Sequence, residues 1–341
     1  FSSRRRHTRL LPVTGVLTCA LPILEKMFIG VDLGGTKTAL GLAGQDGAMI
    51  DSVKYQTASG ATAEAICKSM AEAIDALAKK NGVQQLSGVG IGVPSFVDFK
   101  EGVALHSPNI PSLKNFPVRD FMERRLGCPV VLDNDANVAA LAEYKRGAGR
   151  GQGDMVYITA STGVGGGLIL GGEIYRGTFY QAGEIGHMLA TPGEGFLCGC
   201  GQRGCFESRI GGRYIPDRVK DRLSRGETTA MTAMAPAMDA IDGRILKQAM
   251  DAGDPMARDI VGEMSWYLGL LCHNLSMVFA MGCIVIGGGL INLGDAFLDG
   301  ARQAFASFRR EGLFPVQIKQ AELKQDFGII GALELAIDTQ K

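Results

Sequence analysis

The chain has no net charge, no apolar run of membrane length and no Cys-x-x-Cys pair, and each absence removes a class of function. Its 35 Lys and Arg residues balance 35 Asp and Glu. The balance is uneven: Arg4, Arg5, Arg6, Arg9 and Lys26 stand against Glu25 in residues 1–26, so the remainder is mildly acidic. An acidic body argues against nucleic acid as a partner. No stretch approaches the ~18 consecutive apolar residues that a membrane-spanning helix needs, so no membrane partner and a cytoplasmic location are expected. Charged residues make up 21% and hydrophobic residues 46%, the composition of a globular chain and not of a disordered one. With 341 residues there is enough chain for two domains, each with its own core.

Residues 1–26 stand apart. The chain opens on Phe1, the apolar stretch 13–24 is interrupted by Pro22 and preceded by Pro12, and Met27 directly precedes the first strongly patterned segment. A non-native or disordered extension is expected here, with a targeting segment as the alternative.

From Met27 onward strands and helices alternate. Apolar runs at 27–33 and 38–43, joined by Gly34-Gly35, predict a hairpin, and 155–160 with 167–170 predict a second around another glycine-rich turn. Helical spacing of Ile66, Met70, Ile74 and Leu77 marks 62–80, and further helices are expected over 118–125, 136–144, 264–279 and 329–337. Strands are expected at 89–93, 130–132 and 283–286. The alternation predicts an α/β fold of sheets covered by helices. The apolar helix 264–279 is expected to fill the core, with an interface as the alternative.

Three glycine-rich turns follow strands: Asp32-Leu-Gly34-Gly35-Thr36-Lys37, Ser161-Thr162-Gly163-Val-Gly165-Gly-Gly167, and Gly287-Gly288-Gly289. The first opens no helix, which excludes a P-loop or a dinucleotide fingerprint. A glycine pair between strands still turns backbone N–H groups toward an anion, and Thr36 and Lys37 add donors. Asp32 can hold Mg²⁺ directly or through water, and bare backbone at Gly288 and Gly289 suits a flat base or ribose. One such turn alone is more often a plain hairpin. One in each half of the chain predicts two duplicated lobes gripping one nucleotide.

Cys198-Gly-Cys200-Gly-Gln-Arg-Gly-Cys205 sets three thiols within eight residues, and His187 stands shortly upstream. This spacing fits a closed Cys₃His zinc site, structural because no ligand position is left for water. Without a Cys-x-x-Cys spacing a redox pair is not expected. Cys19, Cys67, Cys128, Cys272 and Cys283 are scattered through mostly apolar or helical contexts and read as buried small hydrophobes.

Asp133-Asn134-Asp135-Ala-Asn137 ends one apolar strand and begins a helix. Helix capping explains one of these residues. The others stand where a carboxylate can reach a substrate hydroxyl and an amide can hold its neighbour. Glu184 and Glu207 flank the zinc ligands, and a metal-locked loop would hold both rigidly.

The segments 32–37 and 134–137, Gly183-Glu-Ile-Gly-His187, and 198–207 occur in an order that resembles the ROK family of bacterial sugar kinases and sugar-responsive repressors. The resemblance implies an actin-like, hexokinase-type fold with two lobes around a nucleotide and sugar cleft. It implies a small lobe over 27–135, with the C-terminal helix 328–341 packed back on it, and a large lobe over 136–327. By the same resemblance Asp135 is the general base, and Asn109, Asn134, Glu184, His187 and Glu207 contact the sugar, with His187 also on zinc. The implied activity is ATP-dependent phosphorylation of a hexose, glucose at its 6-hydroxyl first, with N-acetylhexosamines or other hexoses as alternatives and a non-catalytic sugar sensor as the runner-up. A homo-oligomer, dimer or tetramer, is also implied. Many relatives have Gly where this chain has Ser95, in a loop expected to border the sugar.

Overall fold

The computed structural model describes residues 26–340. The expected extension at 1–26 lies outside the described residues up to position 25, as does Cys19. Strands β1 (Met27–Leu33), β2 (Lys37–Gly44), β3 (Met49–Gln56) and β4 (Gly88–Val93) are followed by a small hairpin, β5 (Phe96–Asp98) and β6 (Val103–His106), and by β7 (Val130–Asn134). The first sheet has the order β3-β2-β1-β4-β7. Its β3, β2 and β1 are antiparallel, whereas β4 runs parallel to both β1 and β7. The second sheet comprises β8 (Met155–Ala160), β9 (Val164–Leu170), β10 (Glu173–Ile174), β11 (Cys283–Gly287) and β12 (Gln317–Gln320), in the order β10-β9-β8-β11-β12. It repeats the first sheet strand for strand, including which pairs are antiparallel. The two glycine turns predicted as equivalents are the β1–β2 and β8–β9 connections, so the duplication expected from them is present in the topology.

The helices are α1 (Ala63–Lys80), α2 (Val118–Leu126), α3 (Asp135–Arg146), α4 (Phe206–Ile210), α5 (Ile215–Ser224), α6 (Met231–Met234), α7 (Gly243–Asp251), α8 (Pro255–Phe279), α9 (Asp295–Phe308) and α10 (Phe327–Asp338). Strand alternation divides them among three cores. Ile29, Val31 and Leu33 of β1 face α1 and α2, while Phe28 points the other way, toward α3 and α10. Likewise Val156 and Ile158 of β8 face α8 and α9, whereas Met155 and Tyr157 face α3 and α10. Helices α3 and α10 are thus the shared middle layer between the sheets. Their approach requires bare backbone: a Cβ at Gly90 would lie 1.9 Å from the Ala332 carbonyl oxygen, and one at Gly331 would lie 1.9 Å from that of Val138.

Three differences from the sequence reading have local causes. Strand β3 is an edge strand with Ile50 56% exposed, so no buried alternation marks it. Helix α8 begins nine residues earlier than the apolar pattern, because the Asp254 carboxylate accepts the Ala257 N–H at 2.9 Å and Pro255 occupies the first turn. The β8–β9 turn closes within 161–163, so residues 165–167 belong to β9, with Gly165 and Gly167 against α3 and Gly166 against Ile185 on the other face. Cys67, Cys128, Cys272 and Cys283 are buried thiols, as their contexts predicted. Among the described residues no helix is long and apolar enough to cross a membrane.

Candidate active site

The parallel strands of the first sheet end beside the middle helices, and this places two carboxylates in one cleft. Asp32, on the Phe28 face of β1, lies against Gly328 at the start of α10. Asp135 is the first residue of α3, immediately after β7. Asn134 is the helix cap: its Oδ1 accepts the N–H groups of Ala136 at 2.9 Å and Asn137 at 3.4 Å, and its Nδ2 donates to the Ser95 carbonyl at 3.2 Å. One residue of the motif is therefore explained by capping. Asp135 is not; its carboxylate accepts the Ala136 N–H at 2.9 Å and its own backbone N–H, and no side chain.

Asp135 has surface open to solvent, yet its carboxyl lies deep between protein walls. Burial is the main cause that pushes its pKa up to about 6; the Ala136 N–H pulls it down, and the negative charges of Asp32 and Glu184 add to the rise. Burial also raises Asp32, with Lys54 opposing and Asp326 adding. It raises Glu184 too, which His187 lowers and Glu207 raises. These mutual effects connect Asp32, Asp135, Glu184 and Glu207 as one electrostatic group along the cleft. Lys54 and Asp326 join at 2.6 Å beside Asp32. Neither stood in a legible motif; Asp326 has a left-handed backbone ahead of α10, which only the fold reveals.

Asp133 is the buried brace of the motif. It accepts from Asn134 N at 2.8 Å, from Asn137 Nδ2 at 2.9 Å and from Arg176 Nε at 2.7 Å. The Arg176 guanidinium lies 3.6 Å from the centroid of Phe99, tying the segment that follows β10 to the tip of the β5–β6 hairpin. Ser95 is 3% exposed and its hydroxyl is spent on the carbonyls of Phe96 and His106, at 2.8 and 2.9 Å. Its side chain therefore fastens the hairpin, and only its backbone touches the Asn134 amide.

The β1–β2 turn is closed by Gly34 N donating to the Lys37 carbonyl at 3.0 Å, so that N–H is spent within the turn. Gly35 packs against Asn109, whose loop is anchored by Ser107 Oγ donating to the Pro94 carbonyl at 2.6 Å. Asn109 thus borders the turn that carries Thr36 and the exposed Lys37. In the second turn the Thr162 carbonyl accepts Arg213 N at 3.0 Å, and Glu207 Oε2 accepts Val164 N at 3.2 Å. Gly288 has a φ of +90°, and a Cβ there would lie 2.3 Å from the Ala160 carbonyl oxygen. Ser161, Thr162, Gly289, Asp242 and Lys247 line a cavity of about 860 Å³. The turns after β8 and β11 therefore share one cavity through Ser161, Thr162 and Gly289, whereas the β1–β2 turn, Gly163, Gly165 and Gly288 lie outside its lining. Asp242 and Lys247 belong to no motif and become visible only when α7 is folded against this turn.

The four predicted metal ligands converge. One donor atom from each of His187, Cys198, Cys200 and Cys205 lies within 4.8 Å of all the others. Cys200 and Cys205 sulfurs are 3.6 Å apart, and His187 Nδ1 is 3.5 Å from Cys198 Sγ. Metal bonds of ~2.3 Å to sulfur and ~2.0 Å to nitrogen at tetrahedral angles imply separations of about 3.8 and 3.5 Å, so this set can hold a tetrahedral ion. With Nδ1 among the thiols, Nε2 faces Glu184 at 3.8 Å. Glu207 Oε1 is 3.5 Å from Cys198 Sγ.

The chain is 35% identical over 313 residues to a glucokinase of Streptomyces coelicolor, covering 90% of this chain and 96% of that one. It is 31% identical over 310 residues to an N-acetylmannosamine kinase of Escherichia fergusonii, covering 90% and 97%. The crystal structure of a ROK family glucokinase from Streptomyces griseus, in complex with glucose and AMPPNP, superposes with a TM-score of 0.76 at 35% identity, over 92% of this chain and 99% of that one. The ROK family model matches residues 28–339, and the chain belongs to the ROK family.

Proposed function

We propose that this protein phosphorylates a hexose with ATP, glucose at its 6-hydroxyl first among substrates, and that Asp135 is the general base. The observation that carries the reading is the Asp135 carboxyl: its hydrogen-bond partners are local backbone N–H groups alone, its pKa is raised, and Asp32 is near enough to add to the rise. The relatives named glucokinase support the sugar, and an N-acetylhexosamine such as N-acetylmannosamine is the alternative. The lobe division at 27–135 and 136–327 follows the two sheets, with α10 lying on the first sheet across Gly90.

In this reading the adenosine end of ATP lies in the cavity between residues 161–163 and 287–289, and its phosphates reach toward Gly35, Thr36 and Lys37. Asp32 would hold Mg²⁺, which offsets charge on the phosphate oxygens. Asn109, Asn134, Glu184, His187 and Glu207 orient the sugar. The hydroxyl oxygen forms a bond to the γ-phosphorus as the bond to the β-phosphate oxygen breaks, and the hydroxyl proton passes to Asp135. Because the transition state is loose, orientation matters more than base strength. The Cys₃His set holds zinc as a structural ion; all four positions are filled by protein, so zinc supplies loop geometry and not activated water. A cytoplasmic setting suits three reduced thiols in one cluster. A homo-oligomer is part of the same reading, supported by Trp266, Met277 and Val278 exposed along α8.

The test is an ADP-release assay with Mg-ATP and glucose, fructose, mannose, allose, N-acetylglucosamine and N-acetylmannosamine. Turnover with glucose at the highest kcat/KM is expected. Failure of the folded, metal-loaded protein to turn over any hexose would overturn the kinase reading.

The pKa shift adds a pH prediction. A base must be ionised, so activity is present above the raised pKa and lost as pH falls through about 6, approaching a tenfold loss per pH unit below it. An unshifted aspartate would keep its activity down to about pH 4. A kcat/KM profile that stays flat to pH 5 would therefore remove either the shift or the role.

A further inference from the structure

The chain leaves β7 for α3 through the corner Asp133-Asn134-Asp135. Strand β7 is the outermost strand of the first sheet on one side, and β10 is the outermost of the second. Arg176, two residues past β10, joins the two. Its Nε donates to Asp133 Oδ2 at 2.7 Å, and its Nη1 donates to the Ile174 carbonyl at 3.3 Å, which fixes the side chain back on β10. The arginine is 18% exposed and Asp133 3%, so water does not weaken this pair as it does a surface pair. Among the described residues no other side chain from outside 133–137 is hydrogen-bonded to Asp133 or Asp135. The guanidinium also lies on the ring of Phe99, at the tip of the β5–β6 hairpin. The root of that hairpin returns to the same corner, because the Ser95 carbonyl accepts Asn134 Nδ2 at 3.2 Å. Arg176, Asp133, Asn134, Ser95 and Phe99 therefore form a closed circuit, in which no member moves without straining the others.

We propose that Arg176 is a positioning residue of the phosphoryl transfer, which aims the Asp135 carboxyl at the sugar hydroxyl by locking the β7–α3 corner to the second sheet. This role rests on the kinase reading with Asp135 as its base. Asp135 has no side-chain partner of its own, so the backbone of the corner alone aims its carboxyl. Glu184, proposed to hold the sugar, is carried by the other sheet. Gly183 before it has a φ of +100°, and a Cβ there would lie 2.4 Å from the Gly166 carbonyl oxygen of β9. Base and sugar contact thus stand on different segments, and the Arg176 circuit spans the gap between them. A displacement of about an ångström across it costs about 10²-fold in rate.

Removing the charge outright would leave Asp133 buried without its cation, so the test uses Arg176→Lys and Phe99→Leu. A lysine keeps a charge beside Asp133 but has no planar fork to lie on Phe99 while bonding both Asp133 and the Ile174 carbonyl. The full-length wild type, R176K, F99L and the double variant are assayed for ADP release with Mg-ATP and glucose. The folded fraction of each is read by circular dichroism. R176K is expected to lose about tenfold or more in kcat per folded molecule, with the ATP KM within about twofold of the wild type. F99L should lose about threefold in kcat. The double variant should be no worse than R176K, because the circuit is already open. A purely structural ion pair would lower Tm and leave kcat per folded molecule unchanged. Unchanged kcat in both single variants, or losses that multiply in the double variant, overturns the role. Should R176K not fold, F99L, which leaves the Asp133 pair intact, decides alone. A wild type that turns over no hexose removes the kinase reading and this role with it; an active wild type beside unaffected variants removes this role only.

Discussion

Asp135→Asn should abolish turnover by about 10²–10⁴-fold while the protein remains folded and still binds sugar and nucleotide. The substitution keeps shape and volume and removes only the ability to take a proton. Its structural cost should be small. Asn134, not Asp135, caps α3, and Asp133, not Asp135, is tied to Arg176 and Asn137. Electrostatics argues in the same direction. A carboxyl whose pKa is raised on folding is less comfortable as an anion in the native state than in the unfolded chain. Its ionised form therefore opposes folding at neutral pH, an effect that fades as pH falls below the native pKa. Removing the charge should leave Tm no lower than that of the wild type. Lost activity with undiminished stability is the signature of a group kept for chemistry at the expense of the fold. An Asn variant that loses Tm in step with activity would instead make Asp135 a structural residue. Calorimetry with glucose and a non-hydrolysable ATP analogue supplies the binding half of the test.

What could be read in the sequence beforehand follows from what is local. Gly34-Gly35 and Ser161–Gly163 were legible as equivalent turns because each stands between two apolar strands. The matching order of the two sheets then follows from how β4 and β11 insert beside them. The cluster that can hold a metal was legible because Cys198, Cys200 and Cys205 are close in sequence and their spacing is itself the geometry. Contacts between distant segments were not. Arg176 reaches Asp133 across 43 positions, and Lys54 reaches Asp326 across 272. No pattern within either segment signals its partner. Edge strand β3 escaped because exposed strands lack the alternation that burial imposes. Ser95 shows the opposite case: its loop was expected to border the sugar, and the structure sets the Ser95 carbonyl on the Asn134 amide, but the direction of the hydroxyl, toward the His106 carbonyl, is decided by the hairpin and not by Ser95's neighbours in sequence. Its effect on the sugar, if the hairpin shifts, passes through backbone.

Cys205→Ser should release the metal and raise the sugar KM by about 10²-fold or more, with little change in nucleotide affinity. Cys205 is fully buried and caps α4, and Glu207 follows in the first turn of that helix. Helix α4 has only five residues and cannot hold itself in place by hydrogen bonds alone. The chain leading to it, from residue 188 to 205, has no helix or strand of its own and is held by scattered backbone bonds, such as Ala190 N to the Gly204 carbonyl and Phe206 N to the Met188 carbonyl, so a bound metal would tie its two ends together. Losing it frees His187 and Glu207 at once and loosens Glu184 through His187. Displacement of several sugar contacts by about an ångström is enough for a loss of that size. The cavity proposed for the nucleotide should survive, since Asp242, Lys247 and Gly289 are held by α7, β11 and their own core. The split between the two KM values separates loop disorder from general unfolding. Chelation of the wild type should reproduce the sugar defect, and added zinc should reverse it there but not in the serine variant. Retention of one zinc per chain by Cys205→Ser, with the sugar KM unmoved, would show that the four ligands hold no ion that matters to the site.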